Sequence, residues 1–303
     1  NSVQSNTMSA ALQSAFSIEP LNSGIVISVL TLVIIFGGVH RIAAISSVIV
    51  PVMAVGYIAL ALFVVLANID RIPAVVEQIV GNAFGWHQAV GGGIGTALMQ
   101  GIKRGLFSNE AGMGSAPNAA ATAHVTHPAK QGFIQALGVF TDTLLICSCT
   151  AFIILFGEDY VGSGLDGIQL TQAALTSEVG NIGGIYVAIA TLFFAYSSIL
   201  GNYYYGEANI RFFTSRQWPV VLYRMLVGGM VLFGSLASLN LVWNLADVTM
   251  ALMSICNLIA IFLLGKYAFR LLDDYLAQKR KGIKSPVFHK EQMKDIEQDL
   301  ECW

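Results

Sequence analysis

The sequence predicts an all-α polytopic membrane protein with about seven transmembrane helices, one of them interrupted. Of its 303 residues, 55% are hydrophobic and 11% are charged, whereas soluble domains carry about 25% charged residues. Seven stretches approach the roughly 20 apolar residues that a helix needs to cross a bilayer core. They lie at about 22–39, 48–68, 91–126, 131–156, 183–212, 218–238 and 242–269. No basic stripe with interleaved aromatic residues is present, which excludes a nucleic-acid partner.

Residues 1–21 precede the first predicted span and begin with a polar stretch. The chain starts with Asn1 and not with Met, and no signal-peptide pattern follows. We therefore expect a C-terminal fragment of a longer protein, in which 1–21 is the extracellular or periplasmic end of a truncated preceding helix and its loop. A processed mature N-terminus is the alternative.

The connections between the spans predict the orientation. Arg71 is the basic residue of one set of connections, and the alternate set carries more of them: Arg41, Lys130, Arg211 and Arg216, followed by a basic tail. By the positive-inside rule the second set is cytoplasmic. This divides the chain into a transmembrane domain at 22–270 and a cytoplasmic tail at 271–303.

Two of the connections predict short helices at the membrane surface. Pro73 favours the first turn of one of them, because its missing N–H is not needed there. The other is expected at 167–178.

The third stretch contains the polar run QGIKRGLFSNEAGMGSAP at 100–117, after a glycine-rich lead-in at 91–95. An intramembrane charge such as Lys103 or Arg104 costs on the order of 3 kcal/mol, and a mid-helix glycine costs about 1 kcal/mol relative to alanine. Irregular backbone at membrane depth is tolerated where it is buried in protein or lines a wet cavity. We therefore predict two half-helices with an unwound joint at 107–114 that binds a ligand. The alternative is a helix that ends near residue 105, with a long cytoplasmic loop after it.

Polar residues also interrupt two other spans. Asp142 lies inside the fourth, and an intramembrane carboxylate predicts a functional role unless it only bonds a neighbouring helix. Ser197 and Ser198, with the carbonyl of Phe194 one turn earlier, present three oxygen atoms that suit a hard cation such as sodium. The alternative for these serines is back-bonding within the helix or contact between helices.

Charged residues at similar inferred depth suggest an outer gate. Lys103 and Arg104 lie in the outer half of the third span, and Asp247 lies near the outer start of the last one. We expect Asp247 to pair with one of these cations when the site is occluded.

A metal site is not expected, apart from sodium. His124 and His127 form H-x-x-H, which is not the H-E-x-x-H of zinc proteases, and Pro128 ends any helix there. Cys147 and Cys149 have neither zinc nor thioredoxin spacing, so the cysteines are expected to be packing residues.

Several motifs together resemble the alanine or glycine:cation symporter family. They are GIKRGLFSNEAGMGSAPNAAATA, HPAKQG, GVFTDTLLIC, FAYSSILGNYYYGEAN and LVWNLAD, and the resemblance covers about 24–270. It implies a partial leucine-transporter-like fold: an inverted repeat with eleven membrane helices, of which this chain would hold the last seven. The glycine-rich broken helix of the first repeat is absent from these residues, so the chain alone is not expected to transport.

The resemblance also implies site residues. Substrate contacts would come from Phe107, Ser108, Gly112 and Met113 at the joint, with Trp243 as a wall of the pocket. Sodium ligands would be Ser197, Ser198, the carbonyl of Phe194, and Thr141.

The expected function is secondary active symport, in which sodium or proton entry drives uptake of alanine or glycine, without a cofactor. The expected location is a bacterial-type plasma membrane, with the C-terminus in the cytoplasm. The alternatives are an ion channel that uses the joint as a filter, and an intramembrane enzyme built on Asp142, Glu110 and the histidines. The choice of amino acid and of coupling ion stays open.

Overall fold

A computed structural model of the chain describes residues 1–37, 40–83, 92–157, 163–293 and 295, with backbone alone at 40–49, 82, 92–97 and 292. The regular structure of this part is helical, which confirms an all-α polytopic membrane protein. Six of its helices are long and apolar enough to span a membrane: Pro20–Gly37, Val50–Ala67, Pro128–Phe156, Asn181–Phe213, Gln217–Leu236 and Leu239–Arg280. The start of the glycine-rich lead-in at 91 and the end of the tail at 296–303 lie outside the described residues.

The helices of the described residues are numbered in chain order. They are α1 (Ser2–Phe16), α2 (Pro20–Gly37), α3 (His40–Ala67), α4 (Ile72–Ala83), α5 (Gly92–Asn109), α6 (Ala116–Ala120), α7 (Pro128–Phe140), α8 (Ser148–Phe156), α9 (Gly167–Val179), α10 (Asn181–Phe213), α11 (Gln217–Leu236) and α12 (Leu239–Arg280). A π-helical segment, Thr141–Cys147, joins α7 to α8. Short 3₁₀ turns lie at Ile69–Arg71 and Lys290–Met293.

The structure differs from the predicted spans at several boundaries. The stretch 91–126 is split into α5 and the five-residue α6, and it is not among the six apolar helices because Lys103, Arg104 and the polar residues lower its hydropathy. Helix α3 begins at His40, so the predicted connection around Arg41 is helical. The last helix continues to Arg280, beyond the predicted end at 269. Part of the predicted cytoplasmic tail is therefore a direct extension of α12.

Both segments predicted to form short helices between the spans are helical. Helix α4 carries Pro73 in its first turn, and α9 covers the second predicted segment. At the start of the chain, where a helix end and a loop were predicted, α1 is a 15-residue helix that ends at Ser17 in the left-handed conformation.

The chain divides into two compact units, which are described separately. Unit 1 comprises Asn1–Gly105 and Thr143–Thr249, and unit 2 comprises Leu106–Asp142 and Met250–Trp303. Helices α5 and α12 each contribute residues to both units.

Small residues let the helices of unit 1 pack closely. A Cβ atom on Gly24 of α2 would lie 2.7 Å from the Cβ of Ser235 on α11, and one on Gly228 would lie 2.7 Å from the Leu32 side chain. Ser28 donates to the Gly228 carbonyl at 2.8 Å. Small residues and interhelical hydrogen bonds are the usual means of helix association in membranes, where lipid is as apolar as the side chains.

Helix α1 belongs to the same bundle, although its buried face is mostly polar. Its Asn6 side chain donates to the carbonyls of Gly234 and Ala237, at 2.9 and 2.8 Å. These carbonyls end α11 and have no partner within the helix. Asn6 therefore stabilises the end of α11, and this explains a buried amide in an otherwise short and polar helix.

Candidate functional site

The break in the third predicted span lies in unit 2, at 110–115. Helix α5 ends at Asn109, and three residues then adopt positive φ: Glu110 at 54°, Gly112 at 78° and Gly114 at 100°. A non-glycine residue at positive φ is uncommon, and the two glycines supply the remaining left-handed positions without steric cost. The predicted joint is therefore real but begins later than expected, because Phe107 and Ser108 lie in the last turn of α5.

The opened turn is closed by local hydrogen bonds. The Ser115 hydroxyl donates to a Glu110 carboxylate oxygen. The Met113 N–H donates to the Glu110 carbonyl at 3.2 Å, and the Ala111 N–H donates to the Asn109 side chain at 3.0 Å. Met113 is buried within this turn. Glu110 thus organises the turn, a role that differs from the catalytic one in the enzyme alternative.

Helix α12 contacts the joint through Asn257, which sequence reasoning missed. Its amide Nδ2 donates to the Gly112 carbonyl at 2.9 Å. A Cβ atom on Gly114 would lie 3.0 Å from the Asn257 Cβ. The available signal was a lone amide in the apolar run ALMSICNLIAIF, since polar residues inside membrane helices are costly unless they have a partner.

Asp142 also belongs to unit 2 and contacts a predicted substrate residue. The Ser108 hydroxyl donates to Asp142 Oδ2 at 2.6 Å. Asp142 lies at the start of the π-helical segment, and such wide turns are frequent at functional sites. Thr141 precedes it, and its hydroxyl donates to the Leu137 carbonyl at 2.9 Å. Asp142 therefore bonds the end of α5.

In unit 1, Arg104 lies between two residues of α12. Its guanidinium donates to both carboxylate oxygens of Asp247, at 3.2 and 3.1 Å, and its Cζ lies 3.8 Å from the centre of the Trp243 ring. Because Trp243 and Asp247 are four residues apart, they share one face of α12. Lys103 approaches the same carboxylate at 3.5 Å. The structure thus brings the three predicted gate residues and Trp243 together.

Trp243 also lines a cavity of about 430 Å³ in unit 1, next to α1 and α9. Asn6, Gln13 and Asp166 contribute polar groups to its lining. Trp243 is therefore partly exposed to this cavity of unit 1.

The predicted sodium ligands of unit 1 are engaged with each other. The hydroxyls of Ser197 and Ser198 both donate to the Phe194 carbonyl, at 2.8 and 3.0 Å. This is the back-bonding that the sequence left as the alternative, and it also brings three oxygen atoms together. Thr141, the fourth predicted ligand, lies in unit 2.

His127 has a structural role. Its Nδ1 accepts the Ala129 N–H at 3.1 Å and caps α7, while its Nε2 lies 3.1 Å from Asp274 Oδ2. Because Nδ1 accepts, the proton is assigned to Nε2, which donates to Asp274. His124 is exposed. Across the described residues no group of three His, Cys, Asp or Glu side chains is placed to hold a metal ion.

The segment after α12 folds back onto unit 2. The Thr126 hydroxyl donates to the Pro286 carbonyl at 2.9 Å, and the Thr126 backbone carbonyl accepts the Phe288 N–H at 3.0 Å. The Gln278 side chain bonds both backbone groups of Val287, at 2.8 and 3.0 Å. The part of the predicted tail at 286–288 is thus held in place by specific partners of its backbone.

Comparison with known proteins identifies the family. A sequence profile described as the sodium:alanine symporter family matches residues 1–290. The chain is 54% identical over its whole length to the probable sodium/glutamine symporter GlnT of Bacillus subtilis (strain 168), and covers 63% of that protein. It is 52% identical, again over its whole length, to the amino-acid carrier protein AlsT of the same organism, of which it covers 64%.

A more distant relative is the sodium/alanine symporter AgcS of Methanococcus maripaludis, which is 39% identical over 88% of this chain and 59% of its own length. The chain thus spans about three fifths of the length of these three relatives. The profile covers the residues of the opened turn, which lie within 1–290. The chain therefore belongs to the sodium:alanine symporter family, a family of transporters and not of enzymes.

Proposed function

We propose that this protein is a secondary active symporter that couples sodium entry to the uptake of a small neutral amino acid, alanine or glycine. The observation that carries the proposal is the opened turn at 110–115 in a chain of this family. Such a turn exposes peptide N–H and C=O groups, and the adjoining helix ends add dipoles that can bind the charged groups of an amino acid. Phe107, Ser108, Gly112 and Met113 would contact the substrate, with Trp243 as a wall.

The orientation follows from the distribution of Lys and Arg. We place the protein in a bacterial-type plasma membrane with its C-terminus in the cytoplasm, because the basic residues concentrate on that set of connections. Alternating access about the joint would then carry substrate and ion inward.

Uptake by the full-length protein in lipid vesicles tests this function. We expect saturable uptake of labelled alanine when sodium is outside, and background uptake when choline replaces it. Uptake driven by a pH gradient without sodium would make the proton the coupling ion. Ion flux without saturable alanine uptake would instead indicate a channel.

Glutamine is a second candidate substrate, because the relative at 54% identity is named a probable sodium/glutamine symporter. Competition of labelled alanine uptake by unlabelled glycine and glutamine separates the two possibilities. If glutamine competes at lower concentration than glycine, the small-substrate proposal is wrong.

Removing the hydroxyls of Ser197 and Ser198 is expected to weaken sodium dependence. Each Ser→Ala change should raise the sodium concentration for half-maximal uptake about tenfold, equivalent to about 1.4 kcal/mol of binding. The control is Ser177→Ala on α9, whose hydroxyl makes the same kind of back-bond, to Ala174 at 2.7 Å. If Ser197→Ala and Ser198→Ala both keep the wild-type sodium requirement, back-bonding is the role of these serines.

The contact of Arg104 with Asp247 and Trp243 is proposed to be an outer gate. Arg104→Ala should accelerate release of bound alanine about fivefold, a modest effect of about 1 kcal/mol because the pair is partly exposed. Lys103→Ala is the control, since the Lys103 side chain is more exposed, 44% against 36% for Arg104, and its ammonium lies farther from the carboxylate. Equal effects of the two variants would contradict a specific role for Arg104. Release is measured by dilution of preloaded protein into unlabelled medium.

A further inference from the structure

Helix α12 holds the opened turn through one side chain, that of Asn257. Its amide donates to the Gly112 carbonyl at 2.9 Å, and the space beside Gly114 is narrow, since a Cβ atom added there would lie 3.0 Å from the Asn257 Cβ. Gly114 itself accepts an amide hydrogen bond from Asn118, at 3.0 Å, at the start of α6. The carbonyl of Gly112 belongs to a residue with φ of 78°. A donor on α12 therefore fixes the orientation of the Gly112 peptide group.

The same helix also holds the far end of this segment. His127, which begins α7, is fully buried, and its ring lies edge-on to Tyr275 at 5.2 Å between ring centroids. Its Nε2 bonds Asp274, as described above. Asn257 and Asp274 are 17 residues apart in the sequence, which corresponds to about 25 Å along a helix. The segment from the joint to α7 is thus tied at both ends to α12.

Between these two ties the segment has little regular structure of its own. The described part contains the five-residue α6 and turns at 121–127. An isolated helix of that length is unstable in water, and its stability must come from tertiary contacts. The contacts with α12 therefore act together with the local hydrogen bonds of Glu110 to keep the joint in one conformation.

We propose that Asn257 is a positioning residue for the substrate site: it fixes the Gly112 peptide group and thereby the shape of the opened turn, with the His127–Asp274 contact as the second tie. This proposal rests on the proposed function, because it concerns the turn that would bind the amino acid. Asn257 does not itself contact the substrate. Its loss weakens binding by letting the turn adopt other conformations, which reduces the binding-competent fraction.

The test uses Asn257→Asp, which keeps the side-chain shape but replaces the donor with a carboxylate oxygen. We expect the KM for alanine to rise about tenfold or more, while kcat stays within about twofold. The reason is that a smaller fraction of the protein can bind alanine, whereas the transport step after binding is unchanged. Asn257→Ala, which removes the donor without adding charge, should raise KM less. The matched control is Asn240→Asp, the same change at an exposed position of the same helix.

A second measurement is independent of transport. Hydrogen exchange of the peptide groups at 110–115, followed by mass spectrometry in detergent, should be faster in Asn257→Asp than in wild type and unchanged in Asn240→Asp. The positioning role would be overturned if exchange at 110–115 in Asn257→Asp equals that of wild type. It would also be overturned if wild type transports alanine and Asn257→Asp has the same KM. Faster exchange in a protein whose wild type shows no sodium-dependent uptake would support the role of Asn257 in shaping the turn and refute the proposed function. The two ideas can therefore fail separately.

Discussion

Replacing Glu207 with alanine is expected to lower the free energy of unfolding by about 1.5–3 kcal/mol, because the partly buried Arg224 and the buried Tyr203 hydroxyl then lose their carboxylate partner. Glu207 on α10 is 8% exposed. It accepts hydrogen bonds from Arg211 at 2.6 Å and from Arg224 of α11 at 3.4 Å, and also from the Tyr203 hydroxyl. Arg224 in turn donates to the Tyr203 hydroxyl at 2.8 Å. The carboxylate is the shared acceptor of this network.

Thermal unfolding in detergent measures the effect. Glu207→Gln keeps the size and one acceptor oxygen and should lose less stability than Glu207→Ala. Glu77→Ala, at an exposed position of α4, is the control and should change stability by less than about 0.5 kcal/mol. Replacing Glu207 and Arg224 together by leucine should recover part of the loss, since no unpaired charge remains between them. If the Glu207→Ala protein unfolds like the Glu77→Ala protein, the network does not stabilise the fold.

Gly114→Ala is expected to lose most of its transport activity, with a KM for alanine raised more than about tenfold. Two costs combine at this position. The φ angle of 100° disfavours any residue with a Cβ atom, and that atom would lie 3.0 Å from the Asn257 Cβ. The turn must therefore shift, and its exposed peptide groups shift with it.

The control for this change is Gly101→Ala on α5, where an added Cβ would meet nothing within 4 Å. In a helix interior this change should stabilise the protein by up to about 1 kcal/mol, and uptake should stay near the wild-type rate. Comparing Gly114→Ala in an Asn257→Gly background with Asn257→Gly alone separates the two costs, since that background removes the Cβ contact but not the backbone strain. Normal uptake by Gly114→Ala would show that the shape of the turn does not matter for transport.

Periodicity and composition were sufficient for the membrane class of the protein and for most of its spans. A bilayer imposes a length of about 20 apolar residues on every crossing helix, and this requirement is visible in any sequence that meets it. The same reasoning located the broken helix, because charged residues and glycines inside an apolar stretch are costly unless the helix opens. The family could be recognised from the same segment, since the run SNEAGMGSAPNAAA is specific to that family.

Boundaries were less well predicted where local preferences compete with packing. The joint was expected from Phe107, whereas α5 continues to Asn109 and opens at Glu110. The composition does not distinguish Phe107 from Glu110 as the start of the joint, because the helix opens at the residue that first adopts positive φ. The end of α12 was placed at 269, before a charged stretch, but the helix continues to Arg280 because contacts with His127 and the folded-back segment support it.

Residue order alone therefore indicated that this chain crosses a membrane several times, that one helix is broken and that charges accompany the break, since each follows from the cost of transferring groups from water to lipid. Which distant residues pair with each other was decided by the tertiary structure. Asn257 with Gly112, Arg104 with Trp243, and Glu207 with Arg224 are separated by 145, 139 and 17 positions in the sequence. A polar group in an apolar helix shows that a partner is needed, but only the packing of the helices decides which group it is.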